Sequence, residues 1–415
     1  MKTQPLPKFM RGLDVLSEET ELPAGAARRA DDVLFDRNGG VRRRGGYELA
    51  AAALGAHSLW GGSITLLAAG ATLYSVAEEE GAFALTALFA GLTPDVPVGY
   101  SEENGEVWFT QPGLVGKVLS TLAVRKPGIV DLSEVRPAVS PFANGSLAPG
   151  RYGASYSLVN DLGEESGLSD TTWLDSTGGG LIVADVKWDF GYVEYVNLYL
   201  TPPNESELRL VAKVLAGDIF FLTQADFSIV ARNQFLGPLS GGRFITHYNG
   251  RTYVAVGNRL EYSDPFNPGL RQLRTGSIGF AGEITGVVPV DNGIFVGQEE
   301  QVYFLAGKGP GAFELLQASD EGMVGGSGTK APGAMFNAKF VPTVGAVAVW
   351  LSKVGFCLGL PNGQTLAPQA ERVEATFTGE ANSLVTTRGG IKQVISVVKS
   401  MGLSGSAHAA DTTLS

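Results

Sequence analysis

The sequence predicts an all-β chain: a β-propeller of about five or six blades, with an immunoglobulin- or fibronectin-like β-sandwich inserted between two of them. Three observations carry this. Asn-Gly, the dipeptide best suited to a two-residue hairpin turn because both central residues take positive φ, occurs at Asn38, Asn104, Asn144, Asn249, Asn292 and Asn362. Short runs rich in β-branched and aromatic residues flank several of these turns, as in Phe244 to Tyr248 and Thr252 to Val256. The chain holds 56 glycines and only 5 methionines in 415 residues, a balance that favours tight turns over long helices.

A weak repeat organises the strands into blades. Tyr253 to Gly257 leads through Asn258 and Arg259 into Leu260 to Ser263, and Gly293 to Gly297 leads through a polar spacer into Val302 to Leu305. Gly257 and Gly297 stand 40 residues apart, within the repeat length of propeller blades. Thr65 to Gly70 followed by Leu73 to Ser75 fits the same pattern, as do Val98 to Leu119, Ala338 to Pro368 and Ser383 to Lys399. A strand near Val41 to Leu49 is expected to complete the final blade. A four-stranded blade exposes two apolar faces, so blades stack radially and closure protects their edges.

The repeat breaks between Arg136 and Arg232. There Tyr152, Ala154, Tyr156 and Leu158 alternate on one face of a strand. A Gly163-Glu164-Glu165-Ser166 turn follows, then Val193 to Leu200 and Leu208 to Val214. This order resembles fibronectin type III modules and implies a sandwich, an architecture that specifies no function. The expected division is 1–50, a docking segment and closing strand; 51–135, the first blades; 136–232, the insertion; 233–400, the remaining blades; and 401–415, a tail.

The opening stretch is the strongest pointer to function. From Gly12 to Tyr47 an acidic lead-in reaches Leu22-Pro23, then come Arg28-Arg29, the Asn38-Gly39 turn and Arg42-Arg43-Arg44-Gly45-Gly46-Tyr47. This order resembles the start of phage tail nozzle proteins, the tail tubular protein B class. The resemblance implies a virion structural protein that forms a ring, a hexamer in the short-tailed phages, and extends the tail channel. It also implies partners: further copies of the chain, connector or adaptor, tail-tube and fibre proteins, and passing genomic DNA bound without sequence preference. Assembly would occur in the host cytoplasm, with the virion tail as final location.

Charge and composition bound the alternatives. At −11 the chain lacks the basic footprint of a nucleic-acid binder, while a carboxylate-lined lumen would let DNA slide without sticking. A mildly acidic balance is also common in soluble proteins. One cysteine, Cys357, in the apolar run Val354 to Leu358, precludes an internal disulfide and reads as a buried, inert thiol. MKTQPLPKFM carries prolines where a signal peptide needs an apolar block, and Ile64 to Ala77, broken by Gly70, is too short to span a bilayer. A soluble protein is expected.

Residues that would carry chemistry are scattered. His57, His247 and His408 sit at no ligand spacing, and no metal or cofactor is expected. Gly322 to Lys330 lacks the Gly-Lys-Ser/Thr order of a phosphate loop. Glu164, Glu165, Asp291, Glu299 and Glu300 mostly adjoin turns or polar runs, and no sialidase-type box is present. The expectation is therefore no enzymatic activity.

The candidate interface residues are Arg28, Arg29, Arg42, Arg43, Arg44, Tyr47 and Phe266. Arginines at a strand edge either keep that edge soluble or make bidentate contacts with a neighbour's carboxylates. Phe266, in a Pro-rich turn, either caps that turn or anchors a neighbour. The candidate gate comprises Gly322, Gly325, Gly326 and Gly328, in a segment expected to lack regular structure to Gly333, a flexible linker being its plainer role. Two other functions remain open: a tail-tip or fibre-attachment protein contacting the host, and a carbohydrate-active propeller enzyme.

Overall fold

At two of the Asn-Gly pairs that the sequence places between apolar runs, the backbone turns back on itself through consecutive positive φ angles. Asn104 and Gly105 have φ of 53° and 76°, and Asn249 and Gly250 of 46° and 71°. The flanking strands pair antiparallel through them. The protein, in a computed structural model, is described over residues 12–403 except 19, 32, 36–39, 44–51, 54, 80, 266, 337–340, 342–344 and 389–390.

Among the described residues five four-stranded antiparallel meanders form in chain order. Sheet 1 comprises Ala56–Trp60, Leu66–Ala69, Thr72–Glu79 and Ala82–Phe89; sheet 2 comprises Gly99–Glu103, Glu106–Gln111, Leu114–Val118 and Val124–Arg125. Sheet 3 comprises Phe244–Tyr248, Arg251–Val256, Arg259–Tyr262 and Ser277–Gly279. Sheet 4 comprises Gly286–Val290, Gly293–Gly297, Val302–Ala306 and Glu314–Ser319; sheet 5 comprises Thr329–Pro332, Ala346–Ser352, Gly355–Gly359 and Thr365–Leu366. The first strands of sheets 2 to 5 lie side by side in succession.

Among the described residues, four apolar clusters fill the spaces between consecutive sheets. Leu66, Leu73, Val107 and Phe109 join sheets 1 and 2; Trp108, Val115, Ile245 and Val254 join 2 and 3. Tyr253, Leu260, Ile294 and Val296 join 3 and 4; Val288, Phe295, Phe304 and Trp350 join 4 and 5. Face-to-face stacking of meanders about their first strands makes the chain propeller-like. Burying each such side chain contributes about 1.5–3 kcal/mol.

Between sheets 2 and 3 the chain forms a two-sheet sandwich. One sheet pairs Ala138–Leu147, Gly179–Ala184 and Phe220–Leu222; the other orders Thr172–Ser176, Gly150–Asn160, Val193–Leu200, Arg209–Leu215 and Ile229–Val230. Tyr152, Ala154, Tyr156 and Leu158 face its core together, as their alternation predicts.

Several elements differ from the sequence expectation. Asn144 and Gly145 make no hairpin: they lie within Ala138–Leu147, where the register slips between Phe142 and Leu147, so Gly145 serves an irregularity of a continuous strand. The block from Ser383 to Lys399 belongs to a two-stranded hairpin, Ala375–Arg388 with Ile391–Leu403, because two strands of 14 and 13 residues use the length that elsewhere makes four short ones. Val41–Arg43 pairs with Val33–Phe35, and among the described residues it joins no propeller sheet. The glycine-rich segment is shorter than expected, since Thr329–Pro332 opens sheet 5 and Gly333–Met335 forms a 3-10 turn.

Candidate functional site

The beginnings of the inner strands converge at one end of the propeller, and three chain segments meet there. Arg243 precedes the first strand of sheet 3 and is fixed by its amide, which donates to the Ala255 carbonyl (2.8 Å). Gly326, at φ 78°, donates to the Thr285 carbonyl (2.9 Å) at the head of sheet 4, and the Ala381 amide donates to the Gly325 carbonyl (2.8 Å). A side chain at position 326 would place Cβ 2.5 Å from the Ala381 carbonyl, so the approach requires glycine twice over, for space and for conformation.

The terminal hairpin reaches this point through a bulge. Between the Thr378–Ser400 and Ala381–Val398 pairs two residues oppose one, with Gly379 at φ 80°. Here Glu380 forms an ion pair with Arg243 across the mouth, joining sheet 3 to the hairpin although sheets 4 and 5 intervene in chain order. Burial holds the Arg243 guanidinium below its usual pKa, partly offset by Glu283. No local pattern points to this pair, because the partners lie far apart in the chain.

A second charged cluster joins the sandwich to the propeller. The Lys117 side chain, 3% exposed, donates to Glu106 (3.0 Å) and Glu164 (2.7 Å) and lies over the Trp108 ring at 5.8 Å. Arg125 pairs with Asp161 at 2.8 Å and stacks on Tyr192. Glu165 accepts from Asn197 (2.9 Å), Tyr199 (2.6 Å), Asn233 (3.1 Å) and Ser157, and burial raises the Tyr199 pKa. A cleft of about 290 Å³ opens beside these residues, lined by Gly128, Leu162 to Glu165 and Asn267 to Leu270. Glu164 and Glu165 adjoin a turn as the sequence suggests, yet both are tied into hydrogen bonds with other side chains of the same chain. Glu164 thereby ties the turn to Lys117 of sheet 2, while Glu165 braces the strands beside it.

The remaining candidates are dispersed. Arg29 pairs with Asp31 on the surface, Arg28 is half-buried, and Arg42 and Arg43 are exposed on Val41–Arg43. Arg44, Tyr47 and Phe266, like the Asn38-Gly39 turn and His408, lie outside the described residues. Gly322, Gly325, Gly326 and Gly328 join sheet 4 to sheet 5, and neighbouring Met323 and Val324 donate to the Gln298 and Leu351 carbonyls (2.8 and 2.9 Å). Two of the gate candidates, Gly325 and Gly326, therefore stand at the mouth. They are fastened there by backbone bonds rather than left as slack.

The two described histidines, His57 and His247, have separate partners. His57 meets Ser58 at 2.9 Å, and His247 meets Ser101 at 2.9 Å between sheets 2 and 3, with the Trp108 ring 5.3 Å away. Burial lowers the His247 pKa to about 4. Cys357 is buried against Ser352 (3.2 Å), and burial pushes its thiol pKa up. Among the described residues no His, Cys, Asp and Glu cluster could hold a metal ion, and no helix is long and apolar enough to cross a membrane.

No family model and no curated protein matches the chain. Similar solved structures include BBS1N in complex with ARL6DN, at 12% identity over 84% of this chain and 93% of that one, TM-score 0.29. The C-terminal WD40 domain of Sif2 is 11% identical over 72% of this chain and 78% of that one, TM-score 0.22. YCF48 bound to D1 peptide is 12% identical over 71% and 87%, TM-score 0.19. Likeness at this level carries no functional argument.

Proposed function

We propose that the protein is a structural component of a phage tail, a nozzle or tail-tube extension whose copies form a ring that carries and gates DNA during ejection. The observation that carries this reading is the opening stretch from Gly12 to Tyr47, with its resemblance to tail nozzle proteins. The scaffold supports it. Charged residues at the seam and mouth are engaged in joining parts of the chain, as suits a protein valued for shape and partners. The chain's net charge of −11 suits a wall past which a polyanion slides.

On this reading the propeller carries a fibronectin type III-like insertion at 136–232, and the two-stranded hairpin stands in the place of a sixth blade. Since Arg243 and Glu380 span the mouth of the inner strands, the conduit is the space enclosed by a ring of copies and not the axis of one propeller. Gating belongs to the mouth, where Gly325 and Gly326 contact the hairpin. Its partners would be other copies and neighbouring tail proteins, its location the virion, and its action free of catalysis.

Negative-stain images of the purified full chain test this directly. Rings with a central opening are expected. Monomers that release reducing sugar from host envelope polysaccharide would instead establish an enzyme, and monomers located peripherally in the virion would establish an attachment protein.

A further inference from the structure

We infer that the terminal hairpin of one copy docks its outward face on the outward face of sheet 1 of the next copy. This rests on the ring reading above and names the surfaces that build the ring.

The hairpin is apolar on both faces, but only one is covered among the described residues. Val385 and Val394, directly opposite each other, pack against sheet 5. The other face presents Leu384 opposite Ile395, then Val397 and Met401, all exposed, with Leu384 at 59% and Val397 at 71%. Lys399 alternates onto the same face as Val397 and Met401 and is exposed. Fourteen- and thirteen-residue strands form a two-stranded sheet where the preceding meanders have four. Such a ribbon gains little by itself and needs a second packing surface.

Sheet 1 offers the complement. Leu66, Ala68 and Leu73 are buried against sheet 2, whereas the opposite face holds half-buried Leu67, Tyr74, Val76 and Leu85 and exposed Phe83. Val76 pairs with Leu85 and Glu78 with Phe83, so this apolar strip ends on a carboxylate as the hairpin strip carries an ammonium. Among the described residues no apolar cluster joins the two faces within one chain. The occupant we assign is therefore a second copy. Because the two faces differ, the contact is heterologous and repeats from copy to copy, which on the ring reading closes on itself rather than running on as a filament.

The test is sedimentation velocity over a concentration series on the wild-type chain and on Val397→Asp, Lys399→Glu, Glu78→Lys and the Lys399→Glu/Glu78→Lys double variant, with circular dichroism to check folding. Val397→Asp should raise the assembly midpoint at least tenfold in concentration. Each single charge reversal should raise it several-fold, and the double variant should recover most of the loss, which a merely misfolded chain would not do. Assembly of all variants like wild type would overturn the assigned surfaces while leaving the ring intact. A wild-type chain monomeric at every concentration would overturn ring and surfaces together. Loss of thermal stability independent of concentration, restored in the double variant, would place both faces within one chain and overturn the proposal.

Discussion

Two charged junctions hold this chain together, and they are built for different tasks. At the seam between sandwich and propeller Lys117 is almost wholly enclosed and answered by two carboxylates and an indole face. At the mouth Arg243 and Glu380 are 31% and 40% exposed and answer only one another among the described ion pairs. A buried cation costs much when stripped of partners, whereas a half-exposed pair exchanges partners with water at little cost. The seam is suited to permanence and the mouth to release.

At neutral pH the largest effect should come from breaking the seam. Lys117→Met leaves Glu106 and Glu164 facing a removed cation, and urea unfolding should show a loss of about 3 kcal/mol. A loss below 1 kcal/mol would mean that the sandwich is not locked by this residue. Next comes the backbone at the mouth: Gly326→Ala forces a side chain at φ 78° and 2.5 Å from the Ala381 carbonyl, with an expected cost of about 2 kcal/mol by the same assay.

His247, at the junction of sheets 2 and 3, sharpens the contrast by pH. Its folded pKa, near 4, is depressed from an unfolded value of about 6.5. Above pH 6.5 both states are neutral and the stabilisation is complete. As pH falls toward 4 the unfolded chain binds a proton that the folded chain does not, and stability drops by about 1.4 kcal/mol per pH unit, with no further loss below. His247→Gln should flatten that window in a stability-against-pH series. The smallest effect belongs to the ion pair: Glu380→Gln should cost under about 1 kcal/mol yet speed hydrogen exchange at the Ala381 amide. A cost equal to that of Lys117→Met would erase the distinction between the two junctions.

Local patterns made much of the fold legible. Asn104-Gly105 and Asn249-Gly250 marked hairpins because two consecutive positive φ values demand such residues, and alternation in Tyr152 to Leu158 identified the sandwich core. Asn144-Gly145 misled because the same flexibility serves an irregular strand as well as a turn. The candidate site was less legible. Its glycines were visible as a cluster, but Arg243 and Glu380 are unremarkable in sequence, and Glu164 looked like an ordinary turn carboxylate until Lys117 was brought beside it.

The strand-rich class, the positions of many turns and the buried faces follow from local sequence, since each depends on residues within a few positions of one another. Tertiary structure alone decided which charges meet, which glycines stand at the mouth and which hairpin face stays uncovered. Those depend on how sheets stack, and stacking is set by the summed shape of many side chains that no short window contains.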